Sequence, residues 1–300
     1  MATLYEMPMV FHSEGTPLIG RLYRNTPDLN TRQPAVVVTG SWLTVKEQMP
    51  AVYAKRLAGL GYTAFTFDFA GFGESQGTPR QCEMPLRKIA DIKAAAHFMH
   101  TQSFTQAGRV GHLANCASAQ FTLAAIADGA PIASFASVAG WFHDAASVAP
   151  FYGAAEGVRL RLGRAKAAME RFIATGETVM APAYRAGDDR AAMFFPLDYY
   201  ERRERGVVPA WKNEMAEMTW AYWLTFDGMK AAASAMAPAL FVHSDGCAFP
   251  DHVKQIHATL RGKKRLVWTQ GNQVDFYDLP DHVDRAMAAV EPWFKETLQA

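Results

Sequence analysis

The chain has little that would tie it to a large charged partner, a membrane or an oxidising compartment. Lys plus Arg number 30 and Asp plus Glu 29, a formal net charge of +1. That balance gives no basic surface for nucleic acid or an anionic membrane. No apolar run reaches spanning length, so no membrane partner is expected. The start, Met1-Ala2-Thr3-Leu4-Tyr5-Glu6-Met7, has neither the basic nor the apolar region of a secretory signal. Only three cysteines occur, Cys82, Cys116 and Cys247. They are too few and too irregular for a disulfide framework or a zinc site. A reduced, cytoplasmic setting is therefore expected, with no metal and no organic cofactor. Repeats and low-complexity tracts are also missing.

What is present is a rhythm. Met7–His12 and Pro17–Arg24 read as a hairpin around Ser13-Glu14-Gly15-Thr16. Ala35-Val36-Val37-Val38 is a continuous apolar run, as in a strand buried on both faces. Lys46–Leu60 has helical spacing and stops at Gly61, and Thr63–Phe67 is the next strand. Pro85–His100 is helical. Strands follow before Cys116, at Ile132–Val138, at Ala239–His243 and at Arg265–Trp268. Alternation of this kind predicts an α/β protein, a mostly parallel sheet covered by helices on both faces. With apolar residues at 50% of the chain, a sizeable core is available.

The rhythm breaks between about Trp141 and Met236. That segment is aromatic-rich and mainly helical in pattern. It predicts a helical cap or lid of about ninety residues over the strand ends. An independent helical domain is the plainer alternative. The expected division is 1–140 and 237–300 for the core and 141–236 for the cap.

Ala114-Asn115-Cys116-Ala117-Ser118 lies between a strand and a helix-like run. Small residues two positions either side of a nucleophile allow a sharp strand-to-helix turn, a nucleophile elbow. Such a turn places the sulfur at a helix N-terminus, where the dipole favours thiolate.

Four segments resemble the α/β-hydrolase superfamily, over nearly the whole chain: Val38-Thr39-Gly40-Ser41-Trp42, Asp68-Phe69-Ala70-Gly71-Phe72-Gly73-Glu74-Ser75, the Cys116 elbow, and Val242-His243-Ser244-Asp245-Gly246. More narrowly, Val45-Lys46-Glu47-Gln48, Trp141-Phe142-His143-Asp144 and Trp211-Lys212-Asn213-Glu214 are similar to a subgroup of dienelactone-hydrolase-like proteins and polyketide acyl transferases. The resemblance implies an eight-stranded α/β-hydrolase sheet and action on an ester, thioester or lactone through a thioester on Cys116. It implies Asp245 as the acid, and oxyanion donors in the amides of Ser41 and Ala117. A histidine should follow the last strand. Gln273 stands there instead.

Glutamine cannot shuttle protons near neutral pH. A thiol depends less on a base than a hydroxyl does. Three readings of Gln273 stay open: an engineered change, a natural one with another histidine as base, or a protein that no longer hydrolyses. The last would be a cyclase, an isomerase or a ligand-binding module. His143 is the best substitute base, against the plainer reading that it anchors the cap. His112 and His243 read as packed core residues. Asp251 or Asp144 could replace Asp245, which reads equally well as a turn residue. Trp42 and Trp141 are candidate walls of the acyl site, and Cys247 follows the seventh strand near it. The expected partner is a small acyl substrate, free or carrier-bound. A homodimer stays open.

Overall fold

In the computed structural model, which describes residues 3–298, the apolar runs become strands of one eight-stranded sheet. Met1, Ala2, Gln299 and Ala300 belong to the expected N-terminal stretch and core segments and lie outside the described residues. The elements run β1 (Tyr5–Ser13), β2 (Thr16–Arg24), β3 (Gln33–Thr39), α1 (Met49–Gly59), β4 (Thr63–Phe67), α2 (Pro85–Thr101), β5 (Thr105–Asn115), α3 (Ser118–Ala127) and β6 (Ser134–Val138). After an insertion come β9 (Ala239–Gly246), α7 (Pro250–Thr259), β10 (Lys264–Asn272), α8 (Asp275–Asp278) and α9 (Pro280–Leu298). The insertion carries α4 (Ala145–Val148), α5 (Ala154–Thr175), the two-residue strands β7 (Met180–Ala181) and β8 (Met215–Ala216), and α6 (Thr219–Trp223).

Sheet order is β1-β2-β4-β3-β5-β6-β9-β10. The β1–β2 and β2–β4 pairs are antiparallel and the rest parallel. Successive side chains of a strand face opposite sides. Val36 and Val38 therefore join α1 and α9 in one core, while Ala35 and Val37 join α2 and α3 in the other. Both faces are dry, which is why these strands read as unbroken apolar runs.

Two elements differ from the sequence reading. Helix α1 begins at Met49 rather than Lys46, with Pro50 in its first turn. Lys46 is held elsewhere: its N–H and ammonium bind the Asp68 carboxylate at 2.8 and 2.7 Å. The insertion is less helical than its pattern. Past α5 the chain is mostly loops, because Gly176, Pro182, Gly187, Pro196 and Pro209 interrupt any helix. No helix among the described residues is long and apolar enough to cross a membrane.

Candidate functional site

Cys116 and Ala117 are the two residues between the end of β5 and the start of α3, and the φ of Cys116 is +55°. A non-glycine residue at positive φ is strained, and such strain gathers at functional turns. The turn is closed by backbone bonds from Ala119 and Trp141 to the Cys116 carbonyl, at 3.0 and 2.9 Å. Small neighbours are required. A Cβ on Gly140 would lie 2.2 Å from Ser137 Oγ and 3.1 Å from the Ala119 methyl. Ala114, Ala117 and Ser118 are all buried.

The sulfur faces a cavity of about 260 Å³. Ser41 and Trp42 from the loop after β3, Trp141 from the loop after β6, and Gly246 to Ala248 at the end of β9 line it. Gln273, Val274 and Tyr277 enter after β10. The insertion contributes Phe151, Tyr152, Met193, Phe195, Leu197 and Tyr200. Trp42 stacks on Trp223 of α6 with ring centres 4.1 Å apart. No carboxylate and no imidazole lines this cavity among the described residues.

Around the sulfur stand neutral donors: the hydroxyls of Ser41 and Tyr277, the Gln273 amide and the Ala117 N–H. Each favours the thiolate. Burial outweighs them and pushes the Cys116 thiol above its ordinary value. The sulfur is thus less ionised, and at 3% exposure less open, than the elbow alone led one to expect. The Gln273 amide is tied to its surroundings as well. Its oxygen accepts from Ala248 N–H at 2.9 Å, and its nitrogen donates to Ala139 O at 2.6 Å and to Tyr277 Oη at 3.3 Å. Ala139 itself has a φ of +47°.

No family model matches the chain. Among curated relatives, the uncharacterized protein YcjY of Escherichia coli K12 is 25% identical over 287 residues, 89% of this chain and 90% of that protein. Polyketide transferase claH of Penicillium crustosum is 33% identical over 116 residues, 38% of this chain and 37% of that protein. Among solved structures, hypothetical protein PA2218 of Pseudomonas aeruginosa superposes with a TM-score of 0.84 at 22% identity, over 99% of this chain and 95% of that one. The alpha/beta hydrolase GrgF of Penicillium sp. sh18 superposes with a TM-score of 0.80 at 16% identity, over 99% of this chain and all of that one. The chain has the α/β-hydrolase fold.

Within that α/β-hydrolase fold the expected site residues separate into two groups. Cys116, Ser41, Trp42, Trp141, Gln273 and Cys247 meet at the cavity, with Ala117 beneath the sulfur. Asp245 and His143 do not. The Asp245 carboxylate is 78% exposed, and Lys254 Nζ lies 3.9 Å away. It sits where the chain leaves β9, and its side chain turns to solvent. Asp251 is more exposed still. Asp144 caps α4, accepting from Ser147 N–H at 2.8 Å.

His143 is fully buried behind Trp141. Its Nδ1 accepts from Trp141 Nε1 at 2.7 Å, and its Nε2 faces Trp223 O at 2.9 Å. Both nitrogens are spent, which fixes the neutral Nε2–H tautomer. Burial lowers its pKa to about 4. It clamps a cavity wall to α6, the anchoring role. His112 bonds Thr39 Oγ1 at 2.8 Å inside the sheet, and burial takes it to about 3. His243 packs against Trp268.

Several residues at or around the site carried no usable sequence signal. Tyr277 was visible only as part of a pattern, Tyr200 as one aromatic among many. Arg205 joins the insertion to the loop after β10, bonding Asp278 at 2.6 Å and Val274 O at 2.9 Å. Glu47, Asp68 and Glu74 converge enough to suggest a cation site. The Lys46 ammonium already lies among them, at 2.8, 2.7 and 2.5 Å.

Proposed function

We propose that the protein is a cysteine-dependent acyl enzyme that transfers an acyl group from an ester, thioester or lactone through a thioester on Cys116. One observation carries this reading: a thiol on a strained elbow faces a cavity that holds hydrogen-bond donors and no base. In the first half-reaction the sulfur adds to the carbonyl carbon. The Ser41 and Ala117 amides face the oxygen, an arrangement worth about 3 kcal/mol per donor in comparable sites. The thiol proton passes by way of the Tyr277 hydroxyl to the leaving oxygen or sulfur. The bond to that atom then breaks, leaving acyl-Cys116 and a free alcohol or thiol.

The second half-reaction decides the class. Water needs a general base to attack a thioester, and neither Gln273 nor any other lining residue supplies one. An amine or thiol acceptor needs less help. Transfer is therefore favoured over hydrolysis. The uncharged lining favours a neutral, largely apolar acyl chain, because a buried unpaired charge is costly. The name of the relative claH, a polyketide transferase, is consistent with transfer. A second reading follows from the same enclosure: an acceptor on the acyl chain itself would close a ring, making the protein a cyclase.

Partitioning tests this. With an activated thioester and a thiol acceptor, the transferred product should exceed the free acid by about tenfold or more, an order of magnitude set by the absent base. Gln273→His alone should leave hydrolysis within about tenfold of its starting rate, since no carboxylate lines the cavity to orient the new imidazole. A gain of several orders of magnitude from that one change would return the protein to the hydrolases.

A further inference from the structure

Glu83 is a fully buried carboxylate lying outside the cavity, two residues before α2. Its Oε2 accepts the Leu43 N–H at 3.0 Å, and its Oε1 lies 2.7 Å from Lys88 Nζ. Its own N–H donates to Thr219 Oγ1 at the start of α6, at 3.0 Å. Lys88 is buried as well, its ammonium 4.4 Å from the Phe69 ring centre and 4.7 Å from that of Phe72. Such a pair is a poor way to gain stability. Well-packed hydrocarbon of the same volume often serves as well or better.

What the carboxylate touches gives it a purpose. Leu43 has a φ of +57°, a conformation a branched side chain does not adopt unaided. Glu83 holds its amide, and Trp211 Nε1 of the insertion holds its carbonyl at 2.8 Å. The rest of the loop is tied in the same way. Thr44 Oγ1 donates to Ser41 O at 2.5 Å, and Val45 N–H to Gln48 Oε1 at 2.9 Å. The Ser41 amide, two residues before Leu43, donates to no other group among the described residues.

We propose that Glu83 is a positioning residue: its carboxylate, held in place by Lys88, fixes the Leu43 amide and so aims the Ser41 N–H at the carbonyl oxygen of a group on Cys116. This rests on the acyl-enzyme reading above, and it adds a residue that never touches the ligand. The donor costs nothing to reorganise during reaction only if its loop cannot turn away.

Two double variants separate positioning from packing. Glu83→Gln with Lys88→Met removes both charges and keeps an acceptor for Leu43. Glu83→Leu with Lys88→Met fills the same space and offers none. The first should acylate Cys116 within about threefold of the parent. The second should acylate about 10²-fold slower, the usual effect of losing one oxyanion donor, with KM unchanged. It should also show faster hydrogen exchange over residues 41–45. Equal acylation rates and equal exchange in the two variants would overturn the proposal. If the parent is not acylated at all, the acyl-enzyme reading fails, and the exchange comparison alone decides whether Glu83 holds the loop. If the leucine variant does not fold, the parent's Leu43 amide proton decides: a resonance well downfield is expected of an N–H on a carboxylate, and a random-coil shift would overturn the proposal.

Discussion

Cys116 differs from an ion-paired thiolate in what pH does to it. Burial raises its pKa above the ordinary thiol value against the pull of the surrounding donors. The thiolate fraction between pH 7 and 9 is then small and grows with pH. The rate of Cys116 acylation by an activated thioester should climb through that window without levelling. A plateau beginning near neutrality would reveal a charged partner. His143 gives a second residue-scale prediction. Its folded pKa is about 4 against an unfolded 6.5. Between those values the unfolded chain takes up the proton and the folded chain does not. Stability is therefore lost as pH falls through the window, by up to about 1.4 kcal/mol per pH unit from this group. Asparagine can offer one acceptor and one donor in the same place. His143→Asn should lower stability at neutral pH but flatten its dependence on pH across the window, as read from urea midpoints. An unchanged slope would mean that the imidazole is not held neutral. At this scale the sequence was legible in part. The positions of Cys116 and Gln273 could be read from spacing. The burial of one and the hydrogen bonds of the other could not, because both depend on residues that other segments deliver. Ser-Asp-Gly reads the same whether its carboxylate turns inward or outward.

Among the elements, the strands were the most legible, because a strand covered on both faces needs unbroken apolar residues. Val36, Val37 and Val38 show it. The insertion was the least legible. Its pattern read as mainly helical, yet ion pairs and backbone bonds shape much of it. Arg205 is the clearest case. Its guanidinium is 7% exposed, reaches Asp278 with two nitrogens and also binds Asp198 at 2.7 Å. Nearby, Gln48 Nε2 donates to Gly206 O at 2.7 Å. Arg205→Met would strand the Asp278 carboxylate. It should cost about 3 kcal/mol, the order seen when one partner of a largely buried pair is removed, and speed hydrogen exchange in the loop carrying Gln273 and Tyr277. Arg205→Lys should recover only part of that, lacking the second arm. Full recovery by lysine would mean that charge alone holds the insertion to the core.

At the scale of the whole molecule, chain order brings Ser41, Cys116, Trp141, Cys247 and Gln273 to one end of the sheet, since each follows the C-terminal end of a parallel strand. That convergence was legible from the alternation of elements alone. The neutrality of the cavity was not, because it required knowing that Asp245 and His143 stay out. The same cavity holds a second thiol, Cys247, with its sulfur 3.2 Å from Ser244 Oγ and its pKa raised to about 12 by burial. Two thiols of different standing in one hollow make intact-mass analysis of the protein after a brief exposure to an activated acyl thioester the most direct measurement. The expected result is a single acyl adduct that maps to Cys116, disappears in Cys116→Ala and persists in Cys247→Ala. An adduct on Cys247 alone, or turnover unaffected by Cys116→Ala, would contradict the role given to Cys116.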